Sequence, residues 1–211
     1  MKKARLKIGI LVSGGGSNLQ AIIDAVKKRR MPVEITVVIS NKADALALRR
    51  ARRAGIPAIH LDPKNYPDRE AYTKAVTAEL ASRGTGLVCL AGFMCILTPY
   101  FARKFPLRAI NIHPALLPAF GGTGMYGHHV HDAVIASGAK YSGCTVHFVD
   151  EGCDTGPIIL QQVVKVLDND TADTLARRIL KYEHRLYPQA IKYFAQGKLR
   201  VEGKRVKIAG A

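Results

Sequence analysis

Short runs of apolar residues alternate along the chain with segments in which apolar residues recur every three or four positions. The short runs predict buried strands, and the periodic segments predict amphipathic helices. We predict strands over residues 6–12, 33–39, 56–61, 86–91, 108–112, 141–149 and 157–166. We predict helices over 19–28, 43–54, 69–82, 128–137 and from Asp170 or Thr171 to 196, followed by a hairpin over 199–209. This alternation predicts an α/β fold with a mostly parallel central sheet and helices on both faces.

The strand predicted over 108–112 leads into polar residues that carry candidate chemistry. Pro114 removes a backbone donor and keeps His113 extended, at the strand end where open α/β sheets bind ligands. Asn111 and His113 lie two positions apart, so their side chains point to the same face. An amide and an imidazole on one face can stabilise a carbonyl oxygen as it becomes an oxyanion. A core asparagine and a turn histidine are the alternative, and the local residues support both interpretations equally.

Residues 13–18, Ser-Gly-Gly-Gly-Ser-Asn, form a glycine-rich turn between the first predicted strand and the first predicted helix. We predict Ser17 or Asn18 as the N-cap of that helix. Backbone N–H groups and the helix dipole at such a turn favour an anion. The turn lacks a complete GxGxxG or Gly-Lys-Ser/Thr sequence, so a single phosphate group fits better than a dinucleotide. A tight structural turn is the alternative.

The later strands carry a second set of candidate residues. Thr145 and His147 share one strand face, and an acidic turn over 150–157 follows them. An acid such as Asp154 beside His113 would raise the pKa of that imidazole, which suits a proton donor near neutral pH. Alternatively, Asp154 serves only to form the turn.

The last predicted helix has one apolar stripe that an acidic residue borders. Glu183 lies beside this stripe, so its carboxylate is drawn towards the interior and needs a partner. A substrate amine or a basic side chain could serve. The stripe comprises Leu175, Ile179, Tyr182 and Leu186.

Three further features indicate ligand contacts. The apolar loop over 92–97 would be covered either by a flat aromatic ligand or by core packing. Arg69 lies in the first turn of a predicted helix, where a cation opposes the helix dipole, and either a ligand or solvent could compensate. The loop over 119–127 contains four glycines, and we predict a mobile segment that could act as a lid.

The formal net charge of +16 predicts attraction to anions such as phosphate, polycarboxylate or nucleic acid. Much of this charge lies in runs such as 27–30 and 49–53. We interpret these runs as solvated helix faces, because no aromatic stacking platform accompanies them. The longest apolar stretch, over 87–97, is too short to span a bilayer. We therefore expect no nucleic-acid partner and no membrane association.

The cysteines form no CxxC pair and no zinc-ligand spacing, which favours a reducing cytoplasm. They are Cys89, Cys95, Cys144 and Cys153. His128 and His131 could share a helix face, but no carboxylate completes a ligand set at a fitting spacing. We expect no metal.

Six sequence blocks, in this order, closely resemble the folate-dependent phosphoribosylglycinamide formyltransferase family over nearly the whole chain. The blocks SGGGSNLQ, SNKAD, LAGFM, NIHPALLP, CTVHFV and DTGP begin at Ser13, Ser40, Leu90, Asn111, Cys144 and Asp154. The resemblance implies a single-domain, Rossmann-like formyltransferase fold, with a phosphate-binding half over about 1–105 and a folate and catalytic half over about 106–211. It also implies transfer of a formyl group from the co-substrate 10-formyltetrahydrofolate to the amine of glycinamide ribotide, in purine synthesis.

The resemblance further assigns roles to individual residues. It implies a catalytic set of Asn111, His113 and Asp154, supported by Thr145 and His147. It places the ribotide and its phosphate against Gly16, Ser17, Asn18, Leu180, Lys181, Tyr182 and Glu183, the last near the amine. It places the folate against Arg69, Met94, Cys95, Ile96, Leu97, Asn111, Asp150, Glu151, Gly152, Cys153 and Asp154.

These roles lead to a mechanistic hypothesis. The neutral amine attacks the formyl carbon, and Asn111 with protonated His113 stabilises the resulting oxyanion. Asp154 orients His113, and a water molecule relays the amine proton to the folate nitrogen. This chemistry requires no metal.

Two departures from the family pattern bear on this hypothesis. Cys95 stands where many members carry arginine, which removes a side-chain contact and leaves backbone recognition of the pteridine. The segment over 120–127 differs from the commoner Pro-Gly-Leu-His form, which affects the lid rather than the chemistry.

Other functions share parts of this pattern. A methionyl-tRNA formyltransferase or a 10-formyltetrahydrofolate hydrolase has the same Asn-x-His…Asp core. We expect neither the added carboxy-terminal RNA-binding domain of the first nor the amino-terminal regulatory domain of the second. A non-catalytic nucleotide- or RNA-binding module would leave Asn111, His113 and Asp154 without a chemical role. The sequence is compatible with a monomer or a homodimer.

Overall fold

The computed structural model describes residues 5–210. The chain divides into two compact units, Met1–Ile110 and Asn111–Ala211. The α/β class is confirmed: most strands pair in parallel, and helices lie on both faces of the sheet. The expectation of a single domain with two functional halves stays a prediction.

The first unit is a parallel α/β layer. Its strands are β1 (Leu6–Val12), β2 (Val33–Ser40), β3 (Ala58–His60) and β4 (Leu87–Leu90), in the hydrogen-bonded order β3-β2-β1-β4. Its helices are α1 (Ser17–Lys27), α2 (Leu46–Arg53), α3 (Arg69–Ser82) and α4 (Pro99–Lys104). Strand β1 pairs in parallel with both β2 and β4, and its residues from Ile8 onward are buried, which explains its continuous apolar run.

The second unit has mixed strand pairing. Strand β5 (Ala109–His113) crosses the boundary between the units, and β6 (Tyr141–Phe148), β7 (Ile158–Lys165), β8 (Leu199–Glu202) and β9 (Arg205–Ile208) follow. The order is β5-β6-β7-β9-β8, with β6 and β7 antiparallel, β7 and β9 parallel, and β8 and β9 antiparallel. The helices are α5 (His128–Ala136) and α6 (Ala172–Ala195).

The predicted elements are present, and two of the differences from the prediction have local causes. Helix α4 was not predicted, because its six residues are too few for a periodic pattern to emerge. The predicted N-cap of α1 was wrong: the helix begins at Ser17 itself, and Gly16 is the N-cap with a φ of 70°. Glycine adopts this left-handed conformation without the penalty that a Cβ atom would bring.

Helix α6 begins as the sequence predicts. The hydroxyl of Thr171 accepts a hydrogen bond from the Thr174 amide, and the Thr174 hydroxyl accepts one from the Thr171 amide, which forms a reciprocal cap. The buried stripe differs from the prediction at one turn, because Tyr182 is only half-buried whereas Glu183 is buried. The acidic side chain therefore lies within the stripe rather than at its border.

Candidate active site

In the second unit, three elements bring polar side chains to one carboxylate. Strand β5 carries Asn111 and His113, β6 carries His147, and the loop between β6 and β7 carries Asp154. The Nδ1 atom of His113 lies 3.6 Å from Oδ2 of Asp154. The Nε2 atom of His147 lies 3.5 Å, and the Nδ2 atom of Asn111 lies 3.4 Å, from Oδ1 of the same carboxylate. The residues implied as the catalytic set are thus neighbours in the fold.

The hydrogen-bond partners assign the proton positions of the two imidazoles. The Nε2 atom of His113 lies 2.7 Å from the carbonyl oxygen of Phe120, and the Nδ1 atom of His147 lies 2.8 Å from that of Phe148. Because a carbonyl oxygen only accepts, both of these nitrogen atoms donate. The Nε2 atom of His147 lies 3.2 Å from the side-chain nitrogen of Asn111.

Burial sets the protonation of His113. The residue is 3% exposed, and the loss of solvation lowers the pKa of its imidazole. Asp154 and the Phe120 carbonyl act in the opposite direction but do not reverse the shift. The expected effect of Asp154 is present, since its charge raises the pKa of His113, but the effect of burial is larger. The imidazole is neutral near neutral pH in the free protein.

Asp154 is held in its ionised form. Burial by itself would raise the pKa of this carboxyl, but the hydrogen bond with His147, the interaction with His113 and the amide of Gly122 together lower it. The Gly122 amide donates to Oδ2 over 3.1 Å. The backbone of Asp154 has a φ of 57°, a left-handed conformation that aspartate tolerates better than most residues.

A second network holds the turn that follows His113. The Thr145 hydroxyl donates to the carbonyl of Ala115 over 2.7 Å and accepts from the amide of Leu117 over 3.1 Å. The side-chain amide of Gln161 donates to the Leu117 carbonyl and to the Thr145 hydroxyl, over 2.9 and 3.1 Å. Thr145 thus holds the turn after His113, and its supporting role in catalysis stays a prediction. Gln161 was not predicted, because it lies 44 residues from Leu117 and no local pattern marks it.

A cavity of about 610 Å³ opens beside Asp154. Its walls are Leu117, Pro118, Gly121, Gly122, residues 153–156, Ile158 and Lys204. Lys204, in the turn between β8 and β9, donates to the carboxylate of Asp150 and to the carbonyl of Thr155, over 3.2 and 2.6 Å. The terminal hairpin thus holds the loop that carries Asp154. The other predicted folate residues of this loop, Glu151, Gly152 and Cys153, are exposed.

In the first unit, the glycine-rich turn ends at the start of α1 with no side-chain cap. The first intrahelical bond runs from the amide of Gln20 to the carbonyl of Gly16, over 2.9 Å. The amides of Ser17 and Asn18 lie in the first turn of the helix, ahead of this bond. Together with the helix dipole, they form a surface that favours an anion.

The loop after β4, implied as a folate contact, combines exposed apolar side chains with a fixed backbone. Met94 and Ile96 are 45% and 53% exposed, and Cys95 is half-buried between them. The Ser13 hydroxyl accepts from the Met94 amide over 2.7 Å and donates to the side-chain carbonyl of Asn41 over 2.6 Å. A flat ligand would cover apolar surface here without reorganising the loop.

Two other predicted folate residues lie in the same unit. Arg69, exposed in the first turn of α3, lies close enough to Cys95 for its charge to lower the pKa of that thiol, although burial raises it more. Leu97 is half-buried. The hydrogen bond between Ser13 and Met94 joins residues 81 positions apart, so no local pattern predicts it.

The four predicted ribotide contacts of α6 occupy one helical turn with unequal exposure. Lys181 is exposed, Leu180 and Tyr182 are half-buried, and Glu183 is 7% exposed. Burial and, as the smaller cause, the nearby charge of Glu183 together raise the pKa of the Cys144 thiol on β6 to about 12. The Glu183 carboxylate therefore lies towards β6, in the interior of the second unit.

Two features are absent from residues 5–210. No group of three or more His, Cys, Asp or Glu side chains in this range is arranged to hold a metal ion. No helix in the same part of the chain has both the length and the apolar composition needed to cross a bilayer.

Known proteins align with almost the whole length of this chain. It is 42% identical over 205 residues to the phosphoribosylglycinamide formyltransferase of Escherichia coli (strain K12), covering 97% of this chain and 94% of that protein. It is 46% identical over 202 residues to the trifunctional purine biosynthetic protein adenosine-3 of Drosophila pseudoobscura pseudoobscura, covering 95% of this chain. The chain spans only 14% of the length of that insect protein.

A solved structure matches the fold. The crystal structure of glycinamide ribonucleotide transformylase 1 from Symbiobacterium toebii superposes with a TM-score of 0.93 at 49% identity, covering 98% of this chain and 95% of that one. This match confirms the Rossmann-like formyltransferase fold. The model of the formyl transferase family aligns with residues 6–191, and the chain belongs to this family.

Proposed function

We propose that the protein transfers the formyl group of 10-formyltetrahydrofolate to the amine of 5-phosphoribosylglycinamide. The products are formylglycinamide ribotide and tetrahydrofolate, and the step belongs to de novo purine synthesis. One observation carries this function: Asn111 and His113 lie next to the carboxylate of Asp154 in a chain of the formyl transferase family. The name of the Escherichia coli relative, phosphoribosylglycinamide formyltransferase, supports the ribotide as the formyl acceptor.

The chemical step begins with attack of the neutral amine on the formyl carbon. The carbonyl oxygen becomes an oxyanion, and the side-chain amide of Asn111 donates a hydrogen bond to it. One hydrogen of this amide points to Asp154 over a long 3.4 Å contact, so a substrate oxygen can compete for it. An oxyanion donor of this kind contributes about 2.7–4 kcal/mol to transition-state stabilisation.

His113 donates to the same oxyanion as a neutral imidazole. Its Nε2–H now donates to the Phe120 carbonyl, and the formyl oxygen takes the place of that carbonyl. The neutral ring replaces the protonated ring of our mechanistic hypothesis, because burial lowers the pKa of His113. A neutral imidazole can act as an electrophilic donor in a buried site.

Asp154 and a water molecule complete the proton transfer. The ionised carboxylate accepts a hydrogen bond from Asn111, which orients that amide, and it lies 3.6 Å from His113 and 3.5 Å from His147. In this mechanism it also accepts a hydrogen bond from a water molecule beside the amine. The attacking amine loses a proton through this water, and the folate nitrogen gains one. The bond between the formyl carbon and the folate nitrogen then breaks, which restores the carbonyl and releases tetrahydrofolate.

The family resemblance assigns the substrate contacts of this proposal. Gly16, Ser17 and Asn18 hold the phosphate, and residues 180–183 contact the rest of the ribotide, with Glu183 near the amine. The folate contacts are Arg69, residues 94–97, Asn111 and residues 150–154. The protein acts in the cytoplasm as a monomer or homodimer, without a metal or a nucleic-acid partner.

A spectrophotometric assay for the folate product tests this function. The chain receives a 10-formyl folate with and without glycinamide ribotide, and we expect product only when the ribotide is present. The Asn111→Ala variant is the matched control for contaminating activity. Equal product without the ribotide would instead indicate a 10-formyltetrahydrofolate hydrolase, and formylation of methionyl-tRNA alone would indicate the tRNA enzyme.

A further inference from the structure

Helix α2 is tied to the glycine-rich turn by one arginine and one backbone amide. The Nε atom of Arg50 donates to the carbonyl of Gly15 over 2.8 Å, and one of its terminal nitrogens donates to the side-chain carbonyl of Gln20 over 3.2 Å. The amide of Ala47 donates to the carbonyl of Gly14 over 3.1 Å. Two successive carbonyls of the turn therefore point to α2.

This arrangement sets the direction of the amides that follow these carbonyls. Both peptide bonds are trans, since the cis bond recorded in the described residues is that between Leu117 and Pro118. In a planar trans peptide the N–H points opposite to the C=O. The N–H groups of Gly15 and Gly16 therefore point away from α2, on the side opposite to the guanidinium.

The fit between the turn and α2 is close. A Cβ atom at Gly16 would lie 2.6 Å from the Cβ atom of Ala47, so the turn has no room to shift towards the helix. Arg50 is half-buried and permanently charged, whereas its neighbours Arg49, Arg52 and Arg53 on the same helix are exposed. Its charge is fixed close to the turn, where it favours an anion in addition to the dipole of α1.

We infer that Arg50 is a positioning residue for the phosphate monoester of the substrate. It holds the Gly15 carbonyl against α2, and this directs the Gly16 amide, with the first amides of α1, to the phosphate oxygens. The role rests on the proposed function, because the phosphate belongs to the ribotide. Arg50 acts through the turn and does not itself contact the substrate.

Steady-state kinetics on the full chain tests this role. We expect Arg50→Ala to raise the KM for glycinamide ribotide about tenfold, because a charged hydrogen bond that orders the turn is lost. The kcat and the KM for the folate should stay within about twofold. Arg50→Lys should reverse only a small part of this rise in KM, since a lysine cannot donate to Gly15 and Gln20 with two fixed N–H groups. Arg52→Ala is the matched control, and its kcat and KM values should equal those of the parent chain.

Direct titration with inorganic phosphate separates this role from the proposed function. If the parent chain binds phosphate and Arg50→Ala binds it about tenfold more weakly, the positioning role stands even where formyl transfer fails. Unchanged phosphate affinity in Arg50→Ala, or a parent chain that does not bind phosphate, overturns it. A fall in kcat and melting temperature together, with the KM for the ribotide unchanged, would also overturn it, because that pattern indicates only general destabilisation.

Discussion

The candidate phosphate site in the first unit uses backbone groups, whereas the candidate catalytic site in the second unit uses side chains. The phosphate site consists of backbone amides at the start of α1, and Gly16 has no side chain to contribute. The catalytic site consists of buried side chains, with His113 and His147 at 3% and 2% exposure. A backbone site is specified by chain conformation, whereas a side-chain site is specified by residue identity and by the burial of titratable groups.

The difference predicts which kinetic constant each region controls. Amides that contact a phosphate distant from the reacting atoms bind the ground state and the transition state alike, so their loss raises KM. Donors to an oxyanion act mainly in the transition state, so their loss lowers kcat.

The largest expected effect comes from removing the oxyanion donor of the second unit. Asn111→Ala should lower kcat by about 10²–10³, with little change in the KM for the ribotide. Asn169→Ala, an exposed asparagine between β7 and α6, is the control and should leave kcat unchanged. Turnover of Asn111→Ala within about twofold of the parent chain would remove Asn111 from the mechanism.

Acid sensitivity should be concentrated in the second unit. His131 on α5 is 6% exposed, and burial together with the charge of His128 lowers its pKa to about 4. Its Nδ1 atom has no hydrogen-bond partner among the described residues. The unfolded chain then binds a proton at a higher pH than the folded chain does, so stability is lost as the pH falls from about 6.5 towards about 4.

Urea unfolding at two pH values checks this. Between about pH 7 and pH 5, the parent chain should lose about 2 kcal/mol more of its unfolding free energy than His131→Leu does. His129→Leu, an exposed histidine of the same helix, should lose as much as the parent chain. The same loss in all three proteins would show that His131 does not titrate in this range.

An added side chain should disturb the backbone site of the first unit. Gly16→Ala places a Cβ atom 2.6 Å from that of Ala47 and requires a left-handed φ, so the turn must change shape. We expect the KM for the ribotide to rise about tenfold with kcat nearly unchanged, as measured by steady-state kinetics. Gly55→Ala, which also has a positive φ but meets no nearby atoms, controls for backbone strain. An equal rise in both variants would exclude a specific role for the turn.

The smallest expected effect concerns the terminal hairpin. Lys204→Met removes the contacts with Asp150 and the Thr155 carbonyl, and because Lys204 is mostly exposed the pair contributes at most about 1 kcal/mol. The KM for the folate should rise by up to about fivefold. Lys207→Met, which removes an exposed lysine of β9, should have no effect. An unchanged KM in both variants would show that the loop needs no anchor.

Much of the fold followed from local patterns, because β1 is largely an apolar run and α6 has an apolar stripe and an N-cap at Thr171. The resemblance supplied Asn111, His113 and Asp154 as a set, which the local residues alone left undecided. The direction of the pKa shift of His113 could not be predicted, because it depends on burial by segments far along the chain. Contacts such as Ser13 with Met94 and Asp150 with Lys204 join residues 81 and 54 positions apart, beyond any local signal.

The most direct test measures how strongly each protein prefers a phosphorylated substrate. The kcat/KM for glycinamide ribotide is divided by that for the same molecule without its phosphate, in the parent chain, Gly16→Ala and Asn111→Ala. We expect the ratio to fall at least about tenfold in Gly16→Ala and to stay the same in Asn111→Ala, although the second variant is far slower. An unchanged ratio in Gly16→Ala, or a lower ratio in Asn111→Ala, would contradict the account. Either result would show that phosphate recognition and chemistry are not divided between the two regions.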